Sequence, residues 1–186
     1  VFNGFNTVVT NVLVGFDPHL RIEAASGGRM ALTDSLDRML RADERIGAFA
    51  PFIANKALLV AQRMNRVVLV KGVVDSAIDG VSGVKERTVL GEFRFQDLPE
   101  RGSIVLGLTL ADRMGTMVGS ELTVLSPVGV DAMMVQLSQP LMKQCGVVGI
   151  YDSNNKDYDA HYAYVSLETA RSLFEMGDAV TGVEMR

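Results

Sequence analysis

The sequence predicts a mixed α/β (α+β) domain. Three observations point there. β-Branched runs such as Val67-Val68-Leu69-Val70 alternate with short segments of helical spacing. Thr33 and Ser166, both good N-cap residues, stand just before two of those helical segments. A strand–helix–strand plan recurs near both ends of the chain, with different material between, and no repeat of fixed period accompanies it.

Along the chain, Phe2, Phe5, Val8, Val9, Val12, Leu13 and Phe16 fall at helical spacing, and Gly15, Asp17 and Pro18 end that pattern. It reads either as an ordinary amphipathic helix or as the outer end of a membrane helix continuing before Val1; the start without methionine favours the second. Residues 19–24 read as a strand, broken by Gly27-Gly28. Thr33 caps the next helix, Asp34 and Asp37 oppose the positive end of its dipole, and Leu36, Met39 and Leu40 form its apolar face. Residues 45–62 read as a strand with a bulge or edge at Pro51, completing a β-α-β unit.

Met64-Asn65-Arg66 reads as a turn into a half-buried strand over residues 67–74. Residues 75–101 carry Gly, Asp, Glu and Arg and read as loop with short elements. Ile104 to Leu106 is a predicted strand, Leu108 to Met114 a short helix, and Gly115 its left-handed C-cap. Glu121 to Leu125 is a further strand. Residues 133–136 and 141–149 then face each other as a hairpin. A second β-α-β unit follows: strand 162–165, a helix capped by Ser166 with Leu167, Ala170, Leu173 and Phe174 inward, a break at Gly177-Asp178, and a strand over residues 179–185.

The 186 residues suffice for one domain or two small subdomains, and 48% apolar content rules out wholesale disorder. A net charge of −4 without a basic run excludes a nucleic-acid binder. The single cysteine, Cys145, precludes an intramolecular disulfide, leaves the compartment open, and reads as a buried inert thiol.

Catalytic and ligand motifs are lacking. His19 and His161 have no metal ligands at zinc spacing, and His19 reads as a structural hydrogen-bonder. No G-x-S-x-G, phosphate loop or dinucleotide fingerprint occurs, so no cofactor is expected. Residues 152–159 lack the central glycine and closing glutamate of a calcium loop and read as a polar surface loop.

Chemistry singles out the hairpin. Met133, Met134, Val135, Leu137, Leu141 and Met142 cluster around Gln136, Ser138, Gln139 and Pro140, with Lys143 at the base. Either the hairpin folds onto its own domain, or it projects as an arm whose flexible methionines suit partners of irregular shape.

Several blocks carry a family likeness: Asn3-Gly4-Phe5, Pro18-His19, Ile104-Val105-Leu106-Gly107 with Leu110-Ala111 and Gly115, Val118-Gly119, Val147-Val148-Gly149-Ile150-Tyr151, Tyr164-Val165-Ser166-Leu167-Glu168-Thr169-Ala170, and residues 178–186. In this order they resemble the periplasmic domain of LolC/LolE-type lipoprotein-releasing permeases, within the MacB/FtsX-like superfamily. The resemblance implies a MacB-like core lying between the first two of four membrane helices of a bacterial inner-membrane protein. Residues 1–15 would continue from a membrane helix. Residues 16–62 and 145–186 would form a Porter-like subdomain, and residues 63–144 an inserted Sabre-like one. Implied partners are a LolA-type periplasmic chaperone, lipoprotein cargo, a separate cytoplasmic ATPase subunit and a second permease subunit. The chain itself would not be an enzyme. Residues 133–143 would be the chaperone hook, with Lys143 supplying its basic residue. Thr123 stands where a second basic residue is expected. The alternatives are a MacB-like exporter, an FtsX-like regulator of cell-wall hydrolases or, from another class, a small-ligand-binding α/β domain.

Overall fold

The computed structural model describes residues 16–24, 28–62, 64–127 and 141–186. Its strands are β1 (Leu20–Glu23), β2 (Met30–Ala31), β3 (Phe49–Ala61), β4 (Met64–Val73), β5 (Thr88–Gly91), β6 (Arg101–Gly107), β7 (Glu121–Leu125), β8 (Met142–Tyr151), β9 (Tyr162–Ser166), β10 (Ala179–Val180) and β11 (Gly182–Met185). Its helices are α1 (Asp34–Ala42), α2 (Ile78–Val81), α3 (Leu108–Met114), α4 (Lys156–His161) and α5 (Leu167–Leu173).

Nine strands form one sheet in the order β1-β11-β3-β4-β9-β6-β8-β5, and β7 pairs with both β3 and β8. That double pairing closes a ring: β3, β4, β9, β6, β8, β7 and back to β3. One buried cluster draws on all six strands, through Leu59, Val70, Ala163, Ile104, Cys145 and Val124, and adds Leu110, Met114, Ala170 and Leu173 from α3 and α5. A closed sheet has no free edge between these strands, so this part of the molecule resists shear.

Local signals place the elements where the sequence puts them. The Thr33 hydroxyl accepts from the Leu36 amide at 3.3 Å, and the Ser166 hydroxyl from the Thr169 amide at 3.0 Å. Gly115, at φ 60°, closes α3 with its amide on the carbonyls of Ala111 and Asp112. Pro51 lies where β3 pairs with β11 alone; pairing with β4 starts at Phe52, so the missing donor costs no bond to β4.

Other expectations change. Met39 is largely exposed; Leu40 is the buried residue of α1, and Leu36 packs partly buried beside it. The expected last strand is two, because Thr181 interrupts it: its hydroxyl accepts from the Ala54 amide, and β10 turns away to pair with β2. Residues 152–159 hold the start of α4, capped by Asn155, and Asp159 is buried against the Ser153 hydroxyl at 2.6 Å.

The β1-β11-β3-β4 flank of the sheet is charged within. Lys71 on β4 and Glu184 on β11 are 3% and 1% exposed, and meet at 2.6 Å across β3. Arg21 on β1 reaches the same Glu184 oxygen at 2.8 Å from the surface side. The Phe52 ring lies between the two cations, 5.1 Å from the Arg21 guanidinium and 5.4 Å from the Lys71 ammonium. Burial pulls the Lys71 ammonium below its usual range, and Glu184 opposes that. Gly182 leaves room for the ring, since a Cβ there would meet the Ile22 carbonyl at 2.2 Å and Phe52 at 3.0 Å.

Two stability predictions follow from this packing. Lys71→Met strips Glu184 of its buried partner and should cost about 3–5 kcal/mol in urea unfolding. The double change Lys71→Met/Glu184→Leu should recover more than half of that loss; a double variant as unstable as the single would refute the assignment. At Gly72 a Cβ would lie 2.2 Å from that of Ala170, so Gly72→Ala overpacks β4 against α5. The expected loss is about 2 kcal/mol. Adding Ala170→Gly should relieve part of it even though glycine weakens the helix.

Candidate partner-docking site

β7 and β8 flank the segment that carries the expected arm, and their paired ends are its base. Their antiparallel register ends at Leu125↔Met142, and the Ser126 amide donates to the Leu141 carbonyl at 2.9 Å. The returning strand therefore pairs with residues 121–125, where the sequence suggested residues 133–136; those, with Leu137 to Pro140, lie outside the described residues. Of the expected contact residues, Leu141, Met142 and Lys143 are described.

This base is apolar and open to solvent. Met142 is 58% exposed and Val67, on β4, 62% exposed. A shallow groove of about 500 Å³ runs beside them, lined by Ala57, Leu58, Val67, Leu125 and Pro127, with Asn55, Lys56 and Ser126 as its polar members. Exposed apolar surface of this kind marks a contact site more often than an isolated exposed leucine does.

Lys143 is half-buried, and its ammonium donates to the Pro99 carbonyl at 2.6 Å. It ties β8 to the turn between residues 98 and 101. Thr123 pairs with Gln144 from one side, and Arg101 pairs with Gln144 from the other. The Arg101 side chain crosses Gly146, where a Cβ would meet it at 2.6 Å, and its guanidinium bonds Glu121 at 3.0 Å. The Arg101 guanidinium thus lies at the Glu121–Gly146 end of β7, away from the Leu125–Met142 pair. Sequence spacing could not reveal it, because the parallel β6–β8 register alone brings residue 101 beside residue 144.

Residues 19 and 186 lie together at the opposite end of the strands. The His19 amide donates to the Met185 carbonyl at 3.0 Å, and the amides of Gly47 and Ala48 donate to the Arg186 carbonyl at 2.8 and 3.0 Å. Phe49, paired with Met185 there, is nine residues from Leu58, which pairs with Leu125 at the other end. At ~3.3 Å per residue, β3 carries the separation over roughly 30 Å.

Elsewhere the chemistry is quiet. Cys145 is fully buried, and burial pushes its thiol up to about 12. The His19 side chain is exposed, so its structural bond is made by its backbone. His161 Nδ1 lies 2.7 Å from the Asp157 carbonyl within α4. Among the described residues no group of three or more His, Cys, Asp or Glu is placed to hold a metal ion. Among them, too, no helix is long and apolar enough to cross a membrane.

The family model of the MacB-like periplasmic core domain matches residues 2–186. The chain belongs to this family. The MacB-like core is 31% identical, over its whole length, to the lipoprotein-releasing system transmembrane protein LolC of Neisseria meningitidis serogroup B. It is 28% identical, over 99% of its length, to the lipoprotein-releasing system transmembrane protein LolE of Haemophilus influenzae. It spans 44% of each of these relatives.

Two solved structures share the fold. The extracellular domain of the ABC-type transporter YknZ from Gram-positive bacteria superposes with a TM-score of 0.56 at 11% identity, covering 87% of this chain and 75% of that one. The periplasmic region of MacB from Actinobacillus actinomycetemcomitans superposes with a TM-score of 0.52 at 13% identity, covering 90% and 66%. The mixed α/β architecture and the MacB-like assignment expected from the motif order both hold.

The buried thiol gives a direct check on the described core. In the full chain at pH 8, Cys145 should resist iodoacetamide for as long as the domain is folded. Modification should begin only at urea concentrations that unfold it. Rapid alkylation without denaturant would contradict the packing of β8.

Proposed function

We propose that this chain is the periplasmic domain of an ABC transporter permease that releases lipoproteins from the bacterial inner membrane. It would dock a LolA-type chaperone through residues 133–143 and transmit motion from the membrane helices, with no bond-making of its own. The end-to-end match to LolC carries the reading. The geometry supports it, because residues 19 and 186 share one end of the sheet and residues 125 and 142, which flank the expected arm, occupy the other.

In this reading a cytoplasmic ATPase subunit drives the membrane helices, and a second permease subunit completes the transporter. The Porter-like part, residues 16–62 and 145–186, stands next to the membrane. The Sabre-like part, residues 63–144, carries the arm outward. The two parts share hydrogen bonds, since β4 pairs with β3 and β9, so a push on one reaches the other without a hinge between them. The chaperone meets an apolar arm whose base exposes Met142 and Val67, with Lys143 as its cation.

The test is capture of a LolA-type chaperone by the full permease. Met134→Asp and Met142→Asp should each reduce capture at least tenfold while leaving the fold intact, since Met142 is largely exposed. Equal capture by the wild type and both variants would sink the docking role of the arm. No capture by any version would remove the chaperone from the proposal and favour an exporter or a regulator of the same family.

A further inference from the structure

The irregular chain between β5 and β6 is pinned at its last turn. The Asp97 carboxylate accepts from the Ser103 amide at 2.7 Å, from the Thr169 hydroxyl at 2.8 Å and from the Ser166 hydroxyl. The Ser103 hydroxyl in turn accepts from the Gln96 amide at 2.9 Å. Ser103 and Thr169 are buried, so Asp97 reaches from an exposed loop into the fold. Leu98 and Arg101 then exchange backbone bonds at 2.7 and 3.1 Å, closing a turn around Pro99 and Glu100. Neither neighbour requires Asp97 for its own closure. Ser166 already caps α5 through the Thr169 amide, and Leu98 and Arg101 close the turn. What Asp97 adds is the placement of one against the other.

That turn meets Lys143. In the parallel β6–β8 pairing Arg101 stands beside Gln144, so the turn leading into β6 comes to lie beside the start of β8. There the Lys143 ammonium donates to the Pro99 carbonyl at 2.6 Å. An ammonium carries three donors, so one carbonyl does not exhaust it. Among the described residues Lys143 makes no ion pair. β8 also packs on the Asp97 network directly: Gly102 leaves room for Cys145, since a Cβ there would meet the sulfur at 3.0 Å and the Thr169 hydroxyl at 3.2 Å. Burial raises the Cys145 thiol most, Asp97 adds to that and Lys143 opposes it, so both charges act on the same buried atom. A lysine stem is flexible and leaves its charge undirected unless something holds it. Here β8 fixes the backbone and Pro99 fixes the tip.

We infer that Asp97 is a positioning residue for the cation of the docking site: by anchoring the 98–101 turn to β6, β9 and α5, it holds the Pro99 carbonyl where it aims the Lys143 ammonium at a docked partner. The inference rests on the docking role proposed above and adds the residue that fixes the direction of its charge. The partner it fits presents a carboxylate to Lys143. Leu98, 62% exposed in the same turn, sets an apolar side chain next to that contact.

The experiment measures the affinity of a LolA-type chaperone for the full permease over a range of salt concentrations. Lys143→Met should weaken binding about tenfold and flatten its salt dependence, because the charge is gone. Asp97→Asn should weaken binding at least threefold. The double variant should bind within twofold of Lys143→Met alone, because Asp97 acts through Lys143. Thr169→Val removes one donor and leaves Asp97 in place. It should give a smaller loss, which likewise disappears in the Lys143→Met background. Protection of Cys145 from iodoacetamide checks that each variant is folded, and Thr169→Val decides the matter if Asp97→Asn exposes the thiol.

An Asp97→Asn loss that persists undiminished beside Lys143→Met overturns the assignment of Asp97 and leaves the docking reading intact. So does wild-type affinity in both Asp97→Asn and Thr169→Val. Undiminished binding by Lys143→Met removes the cation from the site, and this inference with it, while the apolar arm stands. A wild type that binds no chaperone overturns both the inference and the docking role.

Discussion

The ion pair of Lys71 and Glu184 is the constraint around which the sheet is arranged. Removing two charges from water costs several kcal/mol for each, and only tight geometry with further partners recovers it. Here the partners come from four strands: Lys71 from β4, Glu184 from β11, Phe52 from β3 between them, and Arg21 from β1. None of these strands can slip by one residue without turning a charge onto the wrong face. An apolar replacement could be as stable, yet it would not fix the order β1-β11-β3-β4 in the same way. The first and last parts of the chain are therefore registered against the middle by electrostatics, and the hydrophobic clusters fill in around that register.

The opposite end of the sheet is closed by a different device. β7 bridges β3 and β8, and the ring it completes is packed with Leu59, Leu122, Val124 and Cys145. Closure by pairing needs no buried charge, so the outer surface there is free to be apolar, as at Met142 and Val67. One end is thus polar within and joined to the rest of the chain. The other is dry within and exposes methionine and valine.

Local signals were legible in the sequence. Thr33, Ser166 and Gly115 each act through the next few backbone groups, so caps and helix ends appear where spacing puts them. The family likeness was legible too, because it needs the order of motifs and no contact. Long-range pairings were not. β8 reads as one half of a local hairpin, while it actually pairs with β7, β6 and β5. Arg101 reads as a loop residue, and only the β6–β8 register brings it beside Gln144. Lys71 and Glu184 did leave a trace, as single charges inside otherwise apolar strands; their 113-residue separation hides the partnership. Asn155 carries a capping signal, yet residues 152–159 read as a polar surface loop, because the helix it caps has only 6 residues.

A domain that transmits motion, as proposed above, would have different needs from one that carries out a reaction. It would take its load at a fixed point, carry it through long paired strands and deliver it where a partner can feel it. Phe16 is buried at the boundary of the fold, with its carbonyl held twice. β3 and β8 run to 13 and 10 residues, where strands of about five or six are usual. Met142 and Val67 are left uncovered at the far end of those strands. None of these features requires a nucleophile or a metal. Their common requirement is a register that does not drift, which the buried ion pair supplies on the β1-β11-β3-β4 flank and the closed ring at the arm.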